Sequence, residues 1–132
     1  MNILLADDHT IIKRGLSSIL SEAYPHAVIE EVSNGIDLIN KAIKQNWDII
    51  ISDISMPGKT GLEALKELKE LGFHIPVIIL SVHIPELYAH RCIKEGAFAY
   101  LTKESAPELL VLTVNQILYT NKNLITPYIA SY

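Results

Sequence analysis

One cysteine, Cys92, stands in a chain of 132 residues, so no disulfide can form within it. The lone thiol reads as a small buried hydrophobe. No apolar run approaches the ~20 residues that a membrane span requires. The N-terminus "MNILLADDH" lacks a basic start and places two acids where a signal peptide would still be apolar. These absences lead to the expectation of a cytoplasmic chain that does not engage a membrane. Basic charge is also scarce: 11 Lys and Arg face 15 Asp and Glu, for a net charge of −4. Such a surface repels phosphodiester backbones, so this segment is not expected to bind nucleic acid directly. The histidines (His9, His26, His74, His83 and His90) lack metal-ligand spacing and read as surface or rim residues. Internal repeats and low-complexity segments are absent.

What is present suits one folded domain: 49% hydrophobic and 20% charged residues in a single-core length. Short apolar runs mark five strands: "NILLA" (2–6), "VIEEV" (28–32), "DIIIS" (48–52), "PVIILS" (76–81) and "AFAYL" (97–101). "VIEEV" is the most polar and is assigned to a sheet edge. Helical faces follow from Ile12, Leu16, Ile19 and Ala23, from Ile36, Ile39 and Ile43, from Leu62, Leu65 and Leu68, and from Leu110, Val114, Ile117 and Leu118. Glu86 to Lys94 is the weakest helix. Thr60 with Glu63 and Ser105 with Glu108 fit capping boxes, Pro85 suits a first helical turn, and Gly72 and Gly96 suit helix ends. Strands alternating with helices predict an α/β fold: a doubly wound, five-stranded parallel sheet in the order 2-1-3-4-5 with five flanking helices, flavodoxin-like.

Ligands of such sheets bind at the carboxyl ends of the strands. Asp7 and Asp8 follow the first strand, Asp53 ends "IIISD", Ser81 ends the fourth, and Lys103 follows the fifth. Taken singly, each has a bland reading as a turn, cap or solvated residue. Taken together they agree on one chemistry. Three carboxylates in one crevice repel one another, and a divalent cation such as Mg²⁺ relieves that conflict. Lys103 adds positive charge and Ser81 a hydroxyl, which makes a place for a phosphoryl group. Asp53 can then act as a nucleophile and become an aspartyl-phosphate.

The segments "LLADDH" (4–9), "IIISDISMPGKTG" (49–61), "VIILS" (77–81) and "AYLTKE" (99–104) resemble the receiver domain of bacterial two-component response regulators. The opening "ADDHTIIKRGL" (6–16) is similar to the NarL/FixJ-type subfamily. The resemblance implies Asp53 as phosphoacceptor. It implies Asp8 and Asp53 as Mg²⁺ carboxylates, Asp7 assisting, and the backbone carbonyl of Ser55 as a further ligand. Ser81 takes the position of the switch hydroxyl, Lys103 that of the lysine pairing with the phosphoryl group, and Tyr100 that of the switch aromatic. It further implies a sensor histidine kinase as phosphodonor and homodimerisation, or release of a DNA-binding domain, as the output. It implies no enzyme activity beyond the protein's own phosphoryl transfer and loss. Tyr100 by itself reads as a half-buried core aromatic.

Residues 1–120 are assigned to the receiver. Residues 121–132, where Pro127 opposes a continuing helix, are assigned to the start of a linker to an absent DNA-binding domain. A stand-alone receiver that signals by protein contact is the alternative. A haloacid-dehalogenase-type phosphatase needs a second Asp two residues after the nucleophile, where this chain has Ser55. A flavin-binding reading fails because "ADDHT" is acidic where a phosphate cradle is needed. Val82 replaces the small residue usual after the switch hydroxyl, and Glu104 replaces a common Pro, so no cis peptide is expected there.

Overall fold

Isoleucine and leucine runs with apolar groups on both faces require cover on both sides of a sheet. In the computed structural model, which describes residues 1–83, 85–119 and 128–129, that cover is provided by helices between consecutive strands. The strands are β1 (Asn2–Ala6), β2 (Val28–Val32), β3 (Ile49–Asp53), β4 (Val77–Ser81) and β5 (Ala99–Thr102). The helices are α1 (Thr10–Ala23), α2 (Gly35–Ala42), α3 (Gly61–Glu70), α4 (Pro85–Lys94) and α5 (Ala106–Tyr119). The strands pair in parallel in the order β2-β1-β3-β4-β5, as the sequence predicts, with β2 at an edge. A further two-residue strand, β6 (Tyr128–Ile129), pairs in parallel with β5 opposite Ala99 and Tyr100. It lies in the segment assigned to a linker, whose remaining residues fall outside those described.

Strand alternation divides the core in two. Leu4, Ala6, Ile50 and Ile79 face α2, α3 and α4, packing with Leu38, Leu65, Leu68, Ala89 and Cys92. Ile3, Leu5, Ile51, Ile78 and Leu80 face α1 and α5, packing with Leu16, Leu20, Leu110 and Val114. Trp47, just before β3, is buried in the first cluster, and its indole N–H donates to the Lys41 carbonyl at 3.0 Å.

Three local expectations change. On α2 the buried face is Leu38, Ile39 and Ala42, while Ile36 and Ile43 are exposed. Both sets have helical spacing. The docking of Gly35 decides between them, since a Cβ there would stand 2.1 Å from the Lys59 carbonyl oxygen. β5 starts at Ala99 rather than Ala97, because Gly96 (φ 105°) and Ala97 close the end of α4, the Ala97 amide donating to the Cys92 carbonyl. Ser105 makes no box with Glu108. Its hydroxyl meets Thr102 Oγ1 at 2.8 Å and the Thr102 carbonyl at 3.2 Å. The box at Thr60 and Glu63 is formed in both directions.

Cys92 is fully buried as expected, and burial pushes its thiol up to about 11, against a smaller opposing pull from Arg91. The thiolate is the reactive form. Alkylation of Cys92 at pH 8 is therefore expected to run roughly a hundredfold slower in the native protein than in urea. Comparable rates in both states would show that α4 opens readily.

Candidate functional site

The strand ends stand level because the register aligns them: Ala6 opposite Ser52, Asp53 opposite Leu80, and Ser81 opposite Thr102. The ladder continues just past them. The Asp7 amide donates to the Val32 carbonyl, Ile54 to Leu80, and Lys103 to Ser81. The polar groups therefore leave a rigid platform and not loose loops.

Asp53 is almost wholly buried, with 2% of its surface exposed. Its Oδ2 accepts from Lys103 Nζ at 2.9 Å, and its Oδ1 accepts from the Ser55 amide at 3.2 Å. Lys103 Nζ also stands 3.0 Å from Asp7 Oδ2. That contact is an ion pair without hydrogen-bond geometry, so the fully buried Asp7 Oδ2 accepts no hydrogen bond. Burial raises the Asp53 carboxyl above the usual range, and Asp7 adds to the rise, against the opposing pull of Lys103 and the Ser55 amide. Burial also disfavours the Lys103 charge, but its hydrogen bond to Asp53 and the nearby negative charge of Asp7 outweigh this and hold the ammonium above its ordinary value. Oxygens of Asp7, Asp8 and Asp53 lie with His9 Nδ1 within 4.8 Å of one another. One lysine does not balance three carboxylates. The surplus negative charge, the hard oxygen donors and the orphaned buried oxygen fit a small divalent cation.

Close packing holds Asp53 from behind. The Gly61 amide donates to the Ile54 carbonyl, and a Cβ at Gly61 would stand 2.3 Å from the Asp53 carbonyl oxygen and 2.8 Å from Ser52 Oγ. Backbone cannot yield there as a flexible side chain would. Gly61→Ala is expected to lower stability by about 2 kcal/mol in urea unfolding. An unchanged midpoint would mean that the start of α3 shifts freely.

Ser81 is buried, and its Oγ accepts from the His83 amide at 3.0 Å. Tyr100 is fully buried, where a half-buried ring was expected. Its hydroxyl donates to the His83 carbonyl at 2.7 Å, so the ring already lies inward. Val82, beside Ser81, is 72% exposed. No cis peptide occurs among the described residues, in keeping with Glu104. The sequence places His9 at the rim, yet the structure brings its ring into the carboxylate cluster. Its position directly after Asp7 and Asp8 was the available signal.

A parallel sheet of this order with an acidic, lysine-bearing crevice at its carboxyl edge defines a doubly wound α/β domain of the receiver kind. The model of the response regulator receiver domain matches residues 3–115, and the chain belongs to that family. Within it the chain is of the NarL/FixJ type. It is 31% identical over 130 residues to the response regulator UvrY of Escherichia coli K12, covering 98% of this chain and 59% of that protein. It is 36% identical over 114 residues to the nitrate/nitrite response regulator protein NarL of the same strain, covering 86% and 53%. The chain thus spans little more than half the length of these curated relatives. Among solved structures, a LuxR-family DNA-binding response regulator from Staphylococcus aureus superposes with a TM-score of 0.78 at 29% identity, covering 88% of this chain and 97% of that one. No helix among the described residues is long and apolar enough to cross a membrane.

Proposed function

We propose that this receiver is switched by Mg²⁺-dependent phosphorylation of Asp53, with a sensor histidine kinase as donor. The observation that supports it best is the nearly buried Asp53 carboxylate, paired with Lys103 at 2.9 Å and facing Asp7 and Asp8, at the ends of β1, β3 and β5. A carboxylate oxygen of Asp53 forms a bond to phosphorus as the bond from phosphorus to the donor imidazole nitrogen breaks. Asp8, Asp53 and the Ser55 carbonyl would hold Mg²⁺, with Asp7 assisting; the ion when bound neutralises charge on the phosphoryl oxygens. Lys103 turns from the bare carboxylate to the new phosphoryl oxygens, and the Ser81 hydroxyl donates to one of them. Ser81 and Tyr100 meet at one residue, His83, through its amide and its carbonyl. Movement of Ser81 therefore pulls on the peptide that holds the Tyr100 hydroxyl, which carries the event towards α4 and β5.

The protein is a switch in this reading, with no catalysis beyond its own phosphoryl transfer and loss. Its output is transcriptional, through a DNA-binding domain beyond this chain and through self-association on phosphorylation. Similarity to a longer regulator named for nitrate and nitrite response, and to a solved chain named as a DNA-binding response regulator, supports this part. Its setting is the cytoplasm. The test is the intact mass after incubation with a small phosphodonor. A Mg²⁺-dependent gain of one phosphoryl group is expected; a chain that no donor and no histidine kinase can label would overturn the proposal.

A further inference from the structure

His9 takes no part in the phosphoryl chemistry assigned above, yet its ring occupies the centre of the cluster. Nδ1 stands 2.9 Å from Asp7 Oδ1, 3.2 Å from Asp8 Oδ1 and 3.9 Å from Asp53 Oδ2. Neighbouring donors around a six-coordinate ion with bonds near ~2.1 Å lie about 3.0 Å apart. The first two separations match that spacing.

The residue is held for this place and has no other duty. The His9 amide donates to Asp7 Oδ1 at 2.8 Å, so the same carboxylate that joins the cluster also fixes the backbone. His9 is the N-cap residue of α1, but its side chain makes no capping hydrogen bond. The imidazole serves neither the helix end nor the core, since 57% of its side-chain surface is exposed.

Its contacts conflict as they stand. Lys103 Nζ, a donor only, is 3.1 Å from Nδ1, which calls for an unprotonated nitrogen. An unprotonated Nδ1 then sets its lone pair against the oxygens of Asp7 and Asp8. A protonated Nδ1 would satisfy those oxygens but would oppose the lysine ammonium. A divalent cation among Nδ1 and the carboxylates satisfies the nitrogen lone pair and the carboxylate oxygens, and leaves Lys103 to its hydrogen bond with Asp53. It also adds to Lys103 a second counter-charge for the buried Asp7, whose Oδ2 accepts no hydrogen bond.

We propose that His9 is a ligand of the cation site, its Nδ1 adding an imidazole nitrogen to the carboxylate oxygens, and that the site takes nitrogen-accepting divalent ions such as Mn²⁺, Co²⁺ or Ni²⁺ in preference to Mg²⁺. This rests on the reading of the cluster as a cation site. A mixed oxygen and imidazole set suits first-row transition ions, whereas Mg²⁺ keeps to oxygen and water.

The test uses bound Mn²⁺ as a paramagnetic probe, with electron spin-echo modulation reading any nitrogen in its coordination shell. The wild-type protein is expected to show imidazole-nitrogen coupling. His9→Ala is expected to bind Mn²⁺ without that coupling, to bind Co²⁺ or Ni²⁺ about tenfold or more weakly, and to bind Mg²⁺ unchanged. His9→Asn, of similar bulk, serves as a second variant with the same expectation. Wild-type protein that binds Mn²⁺ with no nitrogen coupling, or coupling that persists in His9→Ala, would overturn the role of His9 and leave the cation site standing. Failure of the wild type to bind either Mn²⁺ or Mg²⁺, with Asp8→Asn indistinguishable from it, would remove the cation site itself and the ligand role with it.

Discussion

Asp53→Asn is expected to abolish phosphoryl uptake outright while leaving the fold intact. The amide cannot act as the nucleophile, and no second carboxylate shares the position at the end of β3. Asp7 is buried at the end of a different strand, and Asp8 faces solvent. Intact mass after incubation with phosphodonor and Mg²⁺ reads the result directly, and a phosphoryl group retained by the variant would move the acceptor elsewhere. Stability should respond as well. An acid whose hold on its proton strengthens on folding favours the fold most at low pH and loses that contribution as pH rises through its folded value. The Asp53 carboxyl is raised, chiefly by burial, so at neutral pH its charge counts against the fold. The neutral amide is therefore expected to shift the metal-free urea midpoint slightly upwards, and a clear fall would show that the pairing with Lys103 outweighs burial.

Lys103→Ala acts in the opposite sense. It removes the ammonium that lies 2.9 Å from Asp53 and 3.0 Å from Asp7 and leaves two buried carboxylates facing each other. Removing one partner of a buried ionic group costs about 3 kcal/mol. For a domain of this size that is a fall of roughly 10 °C in melting temperature. Mg²⁺ should restore most of it, since ligand at a hundredfold excess over its dissociation constant stabilises by about 2.7 kcal/mol. Melting with and without Mg²⁺ should therefore separate more widely in the variant than in the wild type. Phosphorylation should persist without carrying its change to α4 and β5. Equal Mg²⁺ effects in both proteins would show that Lys103 and the cation do not share the same carboxylates.

The sheet order and the acidic crevice were both legible in the sequence, because strand runs such as "VIILS" and terminal residues such as Asp53 carry their meaning locally. What escaped was decided by contacts between distant segments. Ile36, Ile39 and Ile43 satisfy helical spacing as well as Leu38, Ile39 and Ala42 do, and only the seat of Gly35 on the Lys59 carbonyl chooses between them. Ser105 had two partners within reach, and the nearby Thr102 hydroxyl took precedence over a cap. Tyr100 is aromatic with a polar tip, so its depth depended on whether the tip found an acceptor inside, and the His83 carbonyl supplied one. His9 was discounted because it lacks a second histidine at ligand spacing. Two of its companions, Asp7 and Asp8, directly precede it in the chain, but the third, Asp53 on β3, is brought beside it only by the fold.

Trp47 is the only tryptophan, and it sits just before β3, whose far end carries Asp53. Six residues of extended chain put roughly 20 Å between the indole and the carboxylate. Its emission should accordingly stay constant as cations or phosphodonors are titrated in, and change only when the core that buries it comes apart. The protein thus contains its own optical reporter of unfolding that is blind to occupancy. Fluorescence can follow the stability of every variant proposed above, but ligand binding must be read by another method.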